Sequence, residues 1–138
     1  MTPEQIARRY YQLFNDRRFT EAEELVDAQA VFHYLPTRQR LVGRAGYRAL
    51  AAAWLTAFED AHLEIRSVRV INEQTVEVDF LGRGTHTGDL VLGDALTIPA
   101  TGQSAQLPFR ERVTVRDALI LEVQLDFDVQ QMKKKLLE

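Results

Sequence analysis

The chain has 138 residues, of which 46% are hydrophobic, so it has the length of one ordinary domain and can bury a core without disulfide staples. Its 17 basic and 20 acidic residues give a net charge of -3 with no basic stripe, which excludes an electrostatic case for nucleic-acid binding. The lack of cysteine excludes disulfides and thiolate chemistry, and no signal peptide or membrane-spanning segment is recognisable. We therefore expect one soluble, cytoplasmic domain over residues 1–138.

The N-terminal half of the chain has the patterns of helices. Residues 2–5, TPEQ, combine an N-cap with a capping box and open a predicted helix over about 3–16. A second capping box, Thr20 to Glu23, opens a short helix that carries Leu25 and Val26, and AVFHYLP is typical of a brief strand that Pro36 ends. The strongest amphipathic stripe follows in GRAGYRALAAAWLTAFED, with Tyr47, Leu50, Ala51, Trp54, Leu55 and Phe58 on one face.

From His62 onward the apolar period changes to two, which indicates strands. Four segments alternate in this way: HLEIRSVRVI, TVEVDFLGRGTH, FRERVTVR and LILEVQLDFD. Glycines and prolines between residues 90 and 108 favour an irregular connection, and a short helix is predicted over about 129–137. Helices followed by strands predict an α+β fold in which the helices cover one face of a curved antiparallel sheet.

Two titratable residues fall on the apolar face of these strands. Glu111 lies between Phe109 and Val113 in an alternating run, and continuing the alternation of the preceding long strand places His86 inward. A buried carboxylate needs a partner, a proton or a water-filled cavity. Pairing of Glu111 with an arginine, or a β-bulge that turns it outward, is the structural alternative to a functional Glu111/His86 pair.

The other motifs do not indicate a nucleotide, nucleophile or metal site. GRGTHTG has neither the spacing nor the following helix of a dinucleotide-binding loop. No serine lies in a nucleophile elbow, and His33, His62 and His86 lack the spacing of metal ligands, so we expect no metal. Tyr47 and Trp54 are either plain core residues or the roof of a pocket.

Several of these segments resemble the SnoaL-like polyketide cyclases and ester cyclases. The resemblance is carried by GRGTHTGDL, IPATGQ at 98–103, RDALILE at 116–122 and AFED at 57–60, and its order of elements covers essentially the whole chain. It implies the cone-shaped fold of the nuclear transport factor 2-like superfamily, which includes ketosteroid isomerase. It also implies a pocket between helices and sheet, no metal or organic cofactor, and a homodimer.

The resemblance also suggests site residues, with one departure. In the characterised cyclases an acid/base aspartate in the last strand is assisted by a histidine one strand earlier, but here Leu125 and Glu111 stand at those positions. Asp128 matches a second aspartate of the family, just before the terminal helix, and His86 matches the histidine of its G-T-H motif. Asp126 replaces the catalytic aspartate only through a one-residue bulge.

We therefore predict a cofactor-independent cyclase, isomerase or lyase for a small, largely apolar carbonyl compound. The predicted catalytic residues are Glu111, His86 and Asp128, and the predicted substrate-binding residues are Tyr47, Trp54, His33 and Leu125. A non-catalytic domain that binds a small apolar molecule or only dimerises is the alternative. Epoxide hydrolysis by Asp126 with Arg110 or Arg112 ranks last, because the alternation sends both arginines outward.

Overall fold

The computed structural model describes all 138 residues and has four helices and eight strands. The helices are α1 (Pro3–Asn15), α2 (Phe19–Glu24), α3 (Gly43–Ala57) and α4 (Val129–Leu137). The strands are β1 (Val26–Tyr34), β2 (Gln39–Val42), β3 (His62–Val70), β4 (Thr75–Thr85), β5 (Leu90–Leu92), β6 (Leu96–Ile98), β7 (Ser104–Arg116) and β8 (Leu119–Asp126). The α+β architecture predicted from the sequence is confirmed.

Six strands form the main sheet in the order β2-β1-β8-β7-β4-β3. All neighbours are antiparallel except β1 and β8, which run parallel, so the sheet is mixed rather than wholly antiparallel as predicted. Strands β1 and β8 are connected in the chain by β2, α3 and the β3–β7 segment. This connection is long enough for β8 to pair with β1 in the parallel direction. Helices α1 and α3 pack on the concave face, where the hydrophobic core lies.

Local signals explain the main elements. In α1 the Thr2 hydroxyl accepts from the Gln5 backbone N–H, and the Gln5 side chain accepts from the Thr2 N–H, as a capping box requires. Asp117 and Ala118 both have positive φ angles, 54° and 63°, which is the backbone of a tight two-residue hairpin between β7 and β8. The helix predicted over 129–137 is present as α4.

Three local predictions were wrong. Helix α2 begins at Phe19 after Arg18, without a side-chain cap from Thr20, and Val26 already belongs to β1. Strand β2 was missed because its four residues do not alternate in hydrophobicity. The segment 90–108 is not irregular: it contains the β5/β6 hairpin and the start of β7, and the hairpin buries Leu90, Leu92, Leu96 and Ile98 in the main hydrophobic core.

Candidate functional site

A cavity of about 100 Å³ lies between α1, α3 and the concave face of the sheet. Seventeen of its 22 lining residues are hydrophobic, and all four tyrosines of the chain and its only tryptophan are among them. The exposed residues His62 and Arg83, at the ends of β3 and β4, mark its open side. For comparison, a cavity of about 150 Å³ can bind benzene, so the enclosed space suits a small molecule or one ring of a larger one.

Glu111 is the only carboxylic acid that lines this cavity. Alternation along β7 turns it inward, where only 7% of its surface is exposed, and its neighbours in the sheet are Val78 and Leu125. Its Oε1 accepts a hydrogen bond from the Tyr11 hydroxyl at 2.5 Å, whereas its Oε2 has no hydrogen-bond partner. Burial raises the pKa of Glu111 from 4.5 to about 7, against the lowering effect of the Tyr11 bond. The inward position predicted for this residue is confirmed.

The four tyrosines of the cavity surround this carboxyl group. Burial raises the pKa of each phenol, and the nearby negative charge of Glu111 contributes to every one of these shifts, for Tyr10, Tyr11, Tyr34 and Tyr47. The phenols therefore stay protonated and can act as hydrogen-bond donors. The Tyr34 hydroxyl accepts from Trp54 Nε1 at 2.6 Å, while the Tyr47 hydroxyl is buried without any partner.

His86 does not meet Glu111 in the cavity, so the predicted pairing is wrong. The imidazole is inward and has no exposed surface, as predicted, but it does not line the cavity. Glu111 faces Val78 on β4, and His86 follows eight residues later, beyond the end of that strand. At about 3.3 Å per residue this is roughly 26 Å along the chain. The alternation along a strand gives the face on which a residue lies but not how far apart two residues on that face are.

Residues 84–88, GTHTG, instead hold the C-terminal end of α3 against the sheet. The His86 ring stacks on Phe58, with 5.2 Å between centroids, and its Nδ1 lies 2.9 Å from the Thr101 hydroxyl. The backbone N–H groups of Thr87 and Gly88 both donate to the carbonyl oxygen of Ala57. Since Phe58 lines the cavity, these contacts position one wall of the site.

A glycine of this segment shows how close the contact is. A Cβ atom at Gly88 would lie 1.9 Å from the carbonyl oxygen of Thr56, at the end of α3. At Gly84 a Cβ atom would meet the Phe58 side chain at 2.9 Å. Gly84 and Gly88 of the GRGTHTG motif are therefore required for the close approach of this segment to the end of α3.

The other predicted residues divide into two groups. Tyr47, Trp54 and Leu125 line the cavity. His33 does not, because it alternates with the inward Phe32 and Tyr34 and lies on the opposite face of β1. Asp128 is exposed and caps α4 by accepting from the Gln131 backbone N–H at 3.0 Å, so its predicted place in the site is wrong.

The outer face of the sheet holds the arginines of the epoxide-hydrolase alternative. Arg110 donates to Asp79 at 2.8 Å and Arg112 donates to Glu77 at 2.9 Å, both away from the cavity. Their outward position agrees with the alternation and removes the residues that this alternative needs. Asp126 is exposed as well.

Sequence reasoning missed Tyr11, the hydrogen-bond partner of Glu111. It missed it because Tyr11 borders the apolar stripe of α1 and its contact with β7 spans 100 residues of sequence. Tyr10 and Tyr34 were also not assigned to the site. The available signal was compositional, since all four tyrosines occur within residues 10–47, before the long strands begin.

The chain contains no group of three or more histidine, aspartate or glutamate side chains arranged to hold a metal ion. None of its helices combines the length and apolar character needed to cross a membrane.

Comparison with known proteins gives one family and a set of related folds. The sequence profile of the SnoaL-like domain matches residues 7–123. No curated protein sequence matches the chain. Among solved structures, IdmH from Streptomyces antibioticus, a proposed polyketide cyclase, superposes with a TM-score of 0.81 at 21% identity over 100% of both chains.

Two further structures have the same fold. A candidate SnoaL-like polyketide cyclase from Jannaschia sp. CCS1 has a TM-score of 0.83 and 16% identity, over 97% of this chain and 90% of that one. A SnoaL-like polyketide cyclase from Agrobacterium tumefaciens has a TM-score of 0.78 and 19% identity, over 99% and 98% of the two chains. At these identities the likeness establishes the cone-shaped fold.

Proposed function

Because the chain belongs to the SnoaL-like domain family, we propose that it is a cofactor-independent acid/base enzyme that acts on a small, largely apolar carbonyl compound, with Glu111 as the general base. One observation carries this proposal. Glu111 is buried in an aromatic cavity with its Oε2 free and its pKa raised to about 7. General bases work best when their pKa lies near the operating pH.

The chemistry follows from the free carboxylate oxygen. Oε2 takes a proton from the carbon next to the substrate carbonyl, and the C–H electron pair moves toward the carbonyl oxygen to form an enolate. The phenol of Tyr10 makes no hydrogen bond within the protein and is available to donate to that oxygen. In a substrate with a β,γ carbon–carbon double bond, the enolate is conjugated with that bond, and return of the proton to the γ-carbon gives isomerisation. Attack of the enolate carbon on a second carbonyl group of the substrate gives ring closure, and the proton held by Glu111 then passes to the new alkoxide oxygen.

The dimensions of the cavity limit the substrate. The enclosed space of about 100 Å³ accepts no more than about one ring. The proposed substrate is thus a compact ketone or the reactive end of a longer polyketide-like compound, whose remainder extends out of the cavity on the side of His62 and Arg83. The aromatic walls favour such an apolar molecule through the area that it buries.

Exchange of hydrogen for deuterium tests the proposal without knowledge of the natural substrate. Small cyclic ketones and 1,3-diketones are incubated with the protein in D₂O, and deuteration next to the carbonyl is followed by proton NMR. We expect the wild type to accelerate exchange, with a rate that rises as Glu111 ionises near pH 7, and Glu111→Gln to lose the effect.

The matched comparison is His86→Phe, which keeps a ring against Phe58 outside the cavity. We expect this variant to retain most of the exchange activity. If ketones bind but none exchanges faster than in buffer, the acid/base proposal is wrong. If His86→Phe abolishes exchange in a folded protein while Glu111→Gln does not, the assignment of the base is wrong.

A binding domain without turnover is the second candidate. It is favoured by Leu125, which stands at the position of the family's catalytic aspartate and lines the cavity, and by the absence of a second acid next to Glu111. In this case apolar ketones would raise the melting temperature equally in wild type and Glu111→Gln, without exchange in either.

A further inference from the structure

The chain has two buried glutamates, and only one of them has cationic partners. Glu77, on the outer face of the sheet, is 5% exposed and accepts hydrogen bonds from Arg69 and Arg112, each at 2.9 Å. Glu111, on the concave face, is 7% exposed and accepts only from a neutral phenol, that of Tyr11. An ionised carboxylate in such surroundings lacks the compensation that buried charges need.

No basic side chain within the cavity can supply this compensation. The groups that face Glu111 are the phenols of Tyr10 and Tyr11 from α1, of Tyr34 from β1 and of Tyr47 from α3. Its neighbours in the sheet, on β4 and β8, are aliphatic. The two basic residues that reach the cavity, His62 and Arg83, are exposed at its open side, and Arg83 is already bound to Glu64.

The walls of the cavity are rich in aromatic rings. Tyr11 and Phe80 have centroids 5.1 Å apart, Tyr10 and Tyr47 lie 5.3 Å apart, and Trp54 packs edge-on against Phe109. Aromatic faces attract organic cations, most strongly where water is excluded. A carboxylate enclosed by such rings has the composition of a site for a substituted ammonium group.

We propose that this cavity binds a small organic cation, with the positive charge beside Glu111 Oε2 and the alkyl groups against the aromatic walls. The volume of about 100 Å³ suits a compact alkylammonium ion. The proposal concerns binding and holds whether or not the cavity turns over a carbonyl substrate. In an enzyme such a cation would compete with the substrate.

The probe is tetramethylammonium, and tert-butanol is its neutral counterpart of nearly equal size and shape. Affinities are measured by NMR titration of the protein at about pH 8, where Glu111 is ionised. We expect the cation to bind at least about 10-fold more tightly than the alcohol. The preference should disappear in Glu111→Gln and persist in Glu122→Gln, a β8 residue on the outer face, which changes the net charge equally.

A second measurement does not depend on any variant. Tetramethylammonium carries a permanent charge, so any proton released on binding comes from the protein. Calorimetry in buffers of different ionisation enthalpy should show proton release that rises toward about one per cation as the pH falls below 7, and none for tert-butanol.

Equal affinities for the two probes, or a preference that survives in folded Glu111→Gln, would overturn this proposal. Cation binding without proton release would also do so, because the charge would then be held away from Glu111. Ketone exchange in the absence of a cation preference would refute cation binding and leave the proposed enzymatic function intact. A cation preference without ketone exchange would support cation binding and refute the proposed enzymatic function.

Discussion

The buried carboxyl group of Glu111 makes the stability of the protein depend on pH. Its pKa is about 7 in the folded chain and 4.5 in ordinary surroundings, and burial is the main cause. Between these values the folded protein holds a proton that the unfolded chain has released. The stability that this group contributes is therefore fully present below about pH 4.5 and is lost as the pH rises through 7.

The magnitude follows from the size of the shift. Each pKa unit corresponds to about 1.36 kcal/mol, so a shift from 4.5 to about 7 lowers the free energy of unfolding by about 3 kcal/mol at high pH. Most of this loss, about 2–3 kcal/mol, falls between pH 5 and pH 8. It is a large part of the stability of an ordinary domain.

Glu111→Gln removes this titration and keeps an acceptor for the Tyr11 hydroxyl. Urea unfolding of both proteins at several pH values between 5 and 8 measures the difference in the free energy of unfolding. We expect this difference to shift in favour of the variant by about 2–3 kcal/mol as the pH rises from 5 to 8. The control Glu122→Gln should follow the wild type. Parallel profiles for wild type and Glu111→Gln would mean that the carboxyl group is not desolvated, and both proposals would lose their premise.

Two further predictions concern the surroundings of this group and the contact behind the cavity wall. Tyr11→Phe removes the hydroxyl that lowers the pKa of Glu111, so the midpoint of the carboxyl carbon in NMR titration should move upward, and an unchanged midpoint would show that the bond does not act on the charge. Gly88→Ala places a Cβ 1.9 Å from the Thr56 carbonyl oxygen and should lower stability by about 2–3 kcal/mol in urea unfolding. Gly102→Ala, where φ is +74° but a Cβ meets no atom, should cost only about 1 kcal/mol, and equal losses would refute the clash.

The sequence was sufficient for the fold class and for the face of the sheet on which the residues of β7 lie. Capping signals and hydrophobic period indicated all four helices, although α2 begins and ends earlier than predicted, and also the long strands, since burial of one face requires that pattern. The same alternation placed Glu111 inward and Arg110 and Arg112 outward, as the structure has them. The resemblance to the SnoaL-like family also indicated the fold correctly.

Only the tertiary structure decided which inward residues meet. Parity assigned His86 and Glu111 to one face, but the length of β4 separates them, and the imidazole packs behind Phe58 while Tyr11 of α1 reaches Glu111. Alternation along a strand carries no information about distances between elements or about the side chains that a helix brings across the sheet. The site is built by such long-range contacts, and they depend on how the helices dock on the completed sheet rather than on any local pattern.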